Sequence, residues 1–314
     1  MKVSVKVPAT SANIGPGFDC LGIALPIYNT VTIDETVLPG TGVEINILSQ
    51  DDNFDDLIID HIPTDETSIV YKAVELLYNS IGQTPSELKI NINTTIPVTR
   101  GLGSSAAVIV GALIAANHLL GEPADESAIL SIATEIEGHP DNVTPAVVGG
   151  LVLSSLEEDG SILYRKLNWP DEWAITVCIP DVELATEISR SVLPESVPIQ
   201  DAVYNTKRMG MLIEALNSAD AELMKIALSD KLHQPYRAKL VPWMADINEA
   251  IKHDEDIFGC VLSGAGSSVL VISKQSAADK ARNTINEVMT NLNIKAEIKT
   301  LKVENNGAQI ISQS

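Results

Sequence analysis

From Gly101 to Gly121 the chain carries no Asp, Glu, Lys or Arg, and the run is bounded by Arg100 and Glu122. A charge-free stretch of this length either crosses a bilayer or lies buried inside a folded protein. Lipid suits it poorly. Its first turn carries Ser104 and Ser105, its end carries Asn117 and His118, and four glycines with several alanines leave it weakly hydrophobic. The sequence therefore predicts a buried helix over Ser104–Leu120 and no transmembrane segment. Such a helix needs a core around it. A chain of 314 residues, 45% of them hydrophobic, can supply one, and the length suggests two domains.

Apolar alternation predicts strands at Lys2–Pro8, Thr30–Glu35, Val43–Leu48 and Leu88–Thr94. The first of these is read as a strand and not as a signal peptide. Thr67–Ile81 has helical periodicity through Val70, Ala73, Val74 and Leu77, and it stops at Gly82 with Pro85 beyond. Asp125–Glu137 reads as a helix and Val147–Leu156 as a strand led by two glycines. Between them and the next pattern the composition breaks at Asn168-Trp169-Pro170-Asp171-Glu172. Beyond the break the spacing predicts strands at Trp173–Ile179, Phe258–Leu262, Ser268–Ser273 and Lys295–Val303. Helices are expected at Gln200–Asn217, Ala219–Leu228, Val241–His253 and Gln275–Leu292. Strands and helices interleave with antiparallel-style turns, so the expected class is α+β in both halves, with domains at 1–160 and 161–314.

Charge narrows the partners. Asp and Glu number 42 against 21 Lys and Arg, a formal charge of −21. A surface this acidic repels a phosphodiester backbone, so neither nucleic acid nor an anionic membrane is an expected partner. Seven carboxylates and no Lys or Arg fall between Asp51 and Glu66, which reads as an exposed, solvated loop. Cys20, Cys178 and Cys260 are far apart and odd in number. They form neither a disulfide framework nor a metal spacing, and the expected compartment is the reducing cytoplasm.

Pro97-Val98-Thr99-Arg100-Gly101-Leu102-Gly103-Ser104-Ser105-Ala106-Ala107 leaves a predicted strand and opens the buried helix. Glycines let a backbone approach an anion and turn N–H groups inward, while the helix end adds free donors and partial positive charge. A plain strand-to-helix turn needs one Gly and one Ser cap. Two of each exceed that need, so the segment reads as a phosphate loop. No Gly-Lys-Ser/Thr follows, so it is not the common P-loop. Without a loop lysine, more of the phosphate charge falls to Mg²⁺ and the helix end. Three further clusters read as turns when taken singly: Thr10-Ser11-Ala12-Asn13-Ile14-Gly15-Pro16-Gly17-Phe18-Asp19, Glu137-Gly138-His139-Pro140-Asp141-Asn142 and Ser263-Gly264-Ala265-Gly266-Ser267-Ser268. Their company with a phosphate loop gives them a functional reading.

That ordered set of loops resembles the GHMP small-molecule kinases, named for galactokinase, homoserine kinase, mevalonate kinase and phosphomevalonate kinase. Within that superfamily the pattern is similar to the homoserine kinases. The residues that carry the likeness are Ser11-Ala12-Asn13 with Gly15, Gly17, Phe18 and Asp19, and Glu137 through Val143. Thr186 with Arg190, Leu193 and Pro194, and His233-Gln234-Pro235-Tyr236-Arg237, complete the pattern. It runs from about residue 3 to beyond residue 270. One departure stands out: Ser267-Ser268 replace the Pro-Thr that usually follows the third-loop glycines.

The resemblance implies a two-domain GHMP kinase fold, with a ribosomal-protein-like N-terminal domain, a ferredoxin-like C-terminal domain and a site between them. It implies ATP-dependent phosphorylation of the side-chain hydroxyl of L-homoserine, for threonine synthesis, in a possible homodimer. By the same likeness ATP would contact Pro97, Arg100, Gly101, Leu102, Gly103, Ser104, Ser105, Ala106, Ala107, Gly264 and Gly266. Mg²⁺ would be held by Ser104 and Glu137, with Glu135 as a rival. Arg190 and Arg237 would bind the substrate carboxylate and Asp19 its ammonium, with Asn13, His139 and Thr186 as further contacts. Asn142 would orient the acceptor hydroxyl, and Asp141 would be structural or electrostatic, with no residue identified as a base. Two other readings stay open at this point: a mevalonate-type kinase, and a catalytically inactive binding protein of the same fold.

Overall fold

The uncharged run folds as a helix over Ser104–Leu119. It does so in a computed structural model that describes residues 1–35, 42–49, 62–85 and 87–313. Among the described residues no helix is long and apolar enough to cross a membrane. In chain order the first half holds β1 (Lys2–Asn13), β2 (Gly17–Asp34), β3 (Val43–Ser49), α1 (Ile69–Ser80), β4 (Leu88–Thr94), α2 (Ser104–Leu119), α3 (Glu126–Glu137), α4 (Pro140–Val148), β5 (Leu151–Leu156) and β6 (Ile162–Leu167). The second half holds β7 (Trp173–Pro180), α5 (Thr186–Ser191), α6 (Ile199–Ser218), α7 (Ala221–Ala227), α8 (Gln234–Arg237), α9 (Trp243–Ile251), β8 (Ile257–Leu262), β9 (Val269–Lys274), α10 (Ala278–Asn291), β10 (Ala296–Leu301) and β11 (Gln309–Gln313).

Two sheets organise these elements. The first runs β11-β1-β2-β4-β3, with β5 on β2 and β6 on β5. β2 is long enough to serve two partners, pairing Leu21–Ile23 with β5 and Thr30–Asp34 with β4. The helix α2 lies on β1 and β2, and Ala106, Ala107, Ile109, Val110, Ala112 and Leu113 have no exposed surface. Burial on all sides is why no amphipathic stripe was visible in its sequence. The second sheet is antiparallel, β10-β7-β9-β8. Alternate residues of β7 face opposite ways: Trp173, Ile175, Val177 and Ile179 join the core shared with α2, whereas Cys178 joins a second core with Trp243, Ile247, Ala281 and Ile285.

Several elements differ from their sequence expectation. The first strand continues past Pro8 to Asn13, and the residues read as a loop form a tight hairpin, with Ala12 opposite Gly22 and Asn13 opposite Gly17. Thr, Ser and Asn there are turn formers by local preference, and cross-strand pairing overrides them. The cluster beginning at Pro140 is a helix despite the internal Pro145. Pro145 cannot donate to the Asp141 carbonyl, and that carbonyl instead packs on Gly22, where a Cβ would sit 1.7 Å away. The expected strand from Val147 accordingly begins only at Leu151. β6, α5, α8 and β11 had no expected counterpart. The expected division assigns Ile162–Leu167 and Gln309–Gln313 to the second unit, yet both strands hydrogen-bond into the first sheet. Of the acidic run, residues 50–61 lie outside the described residues, and Pro63 to Thr67 are exposed.

Two helical glycines give opposite expectations. Gly111 of α2 faces β1 and β2, and a Cβ there would lie 2.7 Å from Val31 Cγ2 and 3.2 Å from Val7 Cγ2. Gly210 of α6 is exposed, with nothing within 4 Å of its Cβ position. Gly111→Ala is expected to destabilise by about 1–3 kcal/mol through overpacking. Gly210→Ala is expected to stabilise by roughly 0.5–1 kcal/mol through helix propensity. Denaturant unfolding of the two variants beside the parent checks both signs.

Candidate active site

The segment between β4 and α2 alternates its backbone hand. Thr99, Gly101 and Gly103 take φ of 56°, 72° and 66°, while Arg100 and Leu102 between them are not left-handed. Such alternation turns successive N–H groups to one side and forms an anion-binding nest. The nest runs directly into α2, whose N-cap Gly103 offers no side-chain hydrogen bond. The N–H groups of Ser104, Ser105 and Ala106 therefore have no intrahelical acceptor. Glycine is required here. A Cβ on Gly103 would lie 2.0 Å from Thr10 Oγ1, and one on Gly101 would lie 2.2 Å from the Ser263 carbonyl.

Neighbouring strands fix the nest. Thr10 N–H donates to the Leu102 carbonyl at 3.0 Å, and Ser268 N–H to the Arg100 carbonyl at 3.1 Å. The Ser263 hydroxyl donates to the Gly101 carbonyl at 2.7 Å and lies 2.8 Å from Ser11 Oγ. The turn between β8 and β9 is thus bolted to both the first strand and the nest. Where the family pattern has Pro-Thr, the Ser267 hydroxyl donates to the Val182 carbonyl and its own carbonyl accepts from Trp243 Nε1. Hydrogen bonds to two segments anchor the position that a proline ring would stiffen.

A cleft of about 340 Å³ opens over the nest, and most of the expected residues line it. Pro97, Arg100 to Ser105, Glu137, His139, Asp141, Asn142, Asn13, Asp19, Thr186, Arg190, Arg237 and Gly264 are all on its wall. Ala106 and Ala107 are fully buried in the core instead. Gly266 is packed against Leu184, Leu262 and Val241 and does not line the cleft. Glu135 is exposed outside it, which separates it from Glu137. Arg100 is buried and turned to protein, with Nε donating to the Pro180 carbonyl at 3.1 Å and Nη2 reaching Asp181 at 3.4 Å. Ile69 and Ile136 add apolar wall that nothing in the sequence marked, because each sits in an ordinary helical pattern far from the glycine loop.

The charged groups fall in two sets. Beside the nest, Ser105 Oγ donates to Glu137 Oε2 at 2.8 Å, so the hydroxyl nearest this carboxylate is Ser105 and not Ser104. Burial raises the Glu137 carboxyl above its ordinary range, against the opposing pull of His139 and the Ser105 bond. His139 Nδ1 donates to Asp141 Oδ1 at 2.5 Å, and Asp141 is 1% exposed. Burial would hold the imidazolium down, but the Asp141 hydrogen bond and charge outweigh it and raise His139. Asn142 accepts from Thr10 Oγ1 at 2.8 Å through Oδ1, which directs its amide nitrogen away from that bond.

In the second set, Arg190 grips Asp19 with both prongs, Nη2 to Oδ1 at 2.8 Å and Nη1 to Oδ2 at 3.2 Å. Asp19 is in the left-handed region, φ 56°, and its N–H donates to Asn13 Oδ1 at 3.0 Å. Asn13 Nδ2 in turn donates to the Gly264 carbonyl at 3.0 Å, so both ends of that amide are engaged with protein. Arg237 is 2% exposed, and burial together with the Arg190 charge draws its guanidinium down to about 10. Thr186 opens α5 at the rim.

A phosphate nest on a helix end, facing a cluster of fixed charges, is the site of a kinase acting on a small polar molecule. The chain belongs to the GHMP kinase family: GHMP kinases N terminal domain matches residues 68–150, and GHMP kinases C terminal matches residues 212–291. Among its full-length relatives are proteins named homoserine kinase. That of Trichormus variabilis is 39% identical over 311 residues and that of Clostridium botulinum 39% identical over 310, each match covering 98% of both chains. The crystal structure of homoserine kinase from Cytophaga hutchinsonii agrees with a TM-score of 0.86 at 28% identity, over 99% of this chain and 97% of that one. The α+β class and the GHMP kinase fold follow, as does ATP-dependent kinase chemistry.

The two arginines differ in what they hold. Arg237 Nε donates to the Ser189 carbonyl and Nη1 to the Gly264 carbonyl, both buried. Arg190 and Asp19 are each more than a third exposed. Arg237→Lys is expected to lower unfolding stability by about 1–3 kcal/mol, since buried acceptors lose their donors. Arg190→Lys is expected to change it by less than about 1 kcal/mol. Parallel denaturant melts compare the two.

Proposed function

We propose that the chain phosphorylates the side-chain hydroxyl of L-homoserine with Mg²⁺ and ATP, giving O-phospho-L-homoserine for threonine biosynthesis. The observation that carries this reading is one cleft holding both the anion nest at residues 99–103 and the Asp19–Arg190–Arg237 cluster. The full-length likeness to homoserine kinases supports it. Homoserine is a zwitterion. Its carboxylate suits the Arg190 and Arg237 guanidiniums and its ammonium suits Asp19, the same complementary charges that Arg190 and Asp19 offer each other. Thr186, His139 and Asn13 stand around the same space. A mevalonate-type acceptor has the carboxylate without the ammonium, and would leave Asp19 with no new partner.

On the nucleotide side, backbone N–H groups of the nest and the first turn of α2 receive phosphate oxygens. The donor set for a divalent cation is small. Among the described residues no cluster of three or more His, Cys, Asp or Glu could hold a metal. Glu137 with the hydroxyls of Ser104 and Ser105 fits Mg²⁺, which keeps waters and phosphate oxygens as most of its ligands. When bound, Mg²⁺·ATP supplies the phosphoryl group and neutralises its charge. Asn142 orients the acceptor hydroxyl. His139 and Asp141 keep an ordered polar wall beside it, and positioning with charge neutralisation supplies most of the rate in a loose transition state. A cytoplasmic location, read from the three free cysteines, and a homodimer, expected from the family alone, complete the reading.

A coupled assay of ADP release over L-homoserine, mevalonate, shikimate and no acceptor tests this reading. Release is expected to depend on homoserine. Equal release with and without it defeats the proposal and favours an inactive binding protein, and a preference for mevalonate moves the substrate elsewhere in the family. Glu137→Ala is expected to lower kcat by roughly a hundredfold, while Glu135→Ala, outside the cleft, leaves it near normal. Steady-state kinetics at saturating ATP distinguish the two carboxylates.

A further inference from the structure

Arg237 is held by two other segments and by His233, the N-cap of its own helix. Nε donates to the Ser189 carbonyl of α5 at 3.0 Å, and Nη1 lies 3.2 Å from the Gly264 carbonyl and 3.4 Å from His233 Nδ1. Nη2 has no hydrogen-bond partner among the described residues, and Arg237 lines the cleft. The two carbonyls set the plane of the guanidinium, and Nδ1 of His233 faces the remaining hydrogen of Nη1.

His233 is fully buried, and its ring is oriented from the far side. Nε2 lies 2.8 Å from the Gly15 carbonyl at the β1–β2 turn. A carbonyl only accepts, so Nε2 carries the proton, and in the neutral ring Nδ1 turns its lone pair to Arg237. Burial lowers the imidazole below its ordinary range, which keeps the ring neutral. Asp230 sets the turn from which the ring projects, accepting the N–H groups of Leu232, His233 and Gln234 and Asn205 Nδ2. One face of the ring stacks on Phe18, with centroids 5.1 Å apart and planes 19° apart. Both guanidiniums lie over that same phenyl ring, Arg237 at 5.3 Å and Arg190 at 5.8 Å from its centroid.

We infer that His233 is a positioning residue for substrate binding: fixed by the Gly15 carbonyl and the Phe18 ring, its Nδ1 accepts from Arg237 Nη1 and thereby aims Nη2 into the cleft. The inference rests on Arg237 binding the substrate carboxylate. A merely structural His233 would tie the β1–β2 turn to α8 through Gly15 alone. The two roles use opposite nitrogens, and two substitutions separate them. Asn places its amide where Nδ1 stands and can keep an acceptor for Arg237, losing Gly15. Gln reaches to the Nε2 position and can keep the Gly15 bond, losing the acceptor.

The experiment measures KM for L-homoserine, KM for ATP and kcat in His233→Asn, His233→Gln and Arg237→Lys. His233→Gln is expected to raise the homoserine KM about tenfold or more, the loss of one hydrogen bond to a charged group. Its kcat should stay within about threefold and its ATP KM within about twofold. His233→Asn should keep the homoserine KM near that of the parent. The reverse order, with Asn impaired and Gln normal, overturns the inference in favour of the Gly15 tie. Parallel losses in homoserine KM, ATP KM and kcat in both variants overturn it as general disruption. If His233→Gln does not fold, His233→Phe, which keeps the stack without either nitrogen, takes its place with the same expected rise. An unchanged homoserine KM in Arg237→Lys defeats the carboxylate reading itself, whereas a rise there without one in His233→Gln defeats only the positioning role.

Discussion

The hydroxyl of Ser263 is the point on which the cleft depends. It has one proton, and the Gly101 carbonyl, which can only accept, takes it at 2.7 Å. The hydroxyl of Ser11, 2.8 Å away, is then the donor to Ser263. Three segments separated by most of the chain meet at that oxygen: the first strand, the glycine nest and the turn between β8 and β9. The nest needs this support. Its backbone changes hand at alternate residues, and such a conformation persists only where surrounding contacts over-determine it. Backbone bonds from Thr10 and Ser268 repeat the same tie on either side. Ser263 and Ser268 are fully buried, so these bonds are shielded from competing water.

From that junction the two halves of the site follow. The nest and the first turn of α2 line the cleft together with the fixed charges of Arg190, Arg237 and Asp19, and Gly264, which packs on Gly101 and accepts from Arg237 and Asn13, joins the two sets. Phe18 links the second set, since its ring lies under both guanidiniums and against His233. Side chains from both sheets' connections contribute, and no single element carries enough of the site to work alone.

The parts legible in the sequence are those governed by local chemistry. A charge-free run bounded by Arg100 and Glu122 read as a buried helix because its serines, glycines and alanines suit lipid poorly, and Gly101 and Gly103 at its start marked the nest. The second sheet was legible because β7 is buried along its whole length and therefore continuously apolar. What failed to show depended on distant partners. Ser11, Ala12 and Asn13 read as turn residues until β2 pairs with them, and the cluster at Glu137–Asn142 read as a turn although a helix opens within it at Pro140. Gln309–Gln313 is a short strand on the surface whose adjacent Ile310 and Ile311 give no alternation to detect. In the site, Arg190 and Arg237 were visible only through resemblance, because a lone arginine in sequence is a surface residue by default. Ser105, not Ser104, donates to Glu137, a difference of one helical step of about 100° that spacing alone does not show.

The pairing of β11 with β1 has a consequence for how the molecule is made. Val3 to Lys6 find their outer partners in Gln309 to Gln313, so a strand made early waits for one made after the second sheet. Throughout synthesis the outer edge of β1 presents unpaired backbone groups, the kind of edge that invites pairing between nascent chains. The core behind it can assemble early, because β1, β2, β4 and α2 all lie within the first 119 residues. Closure of that edge then comes only after every strand of the second sheet has been delivered.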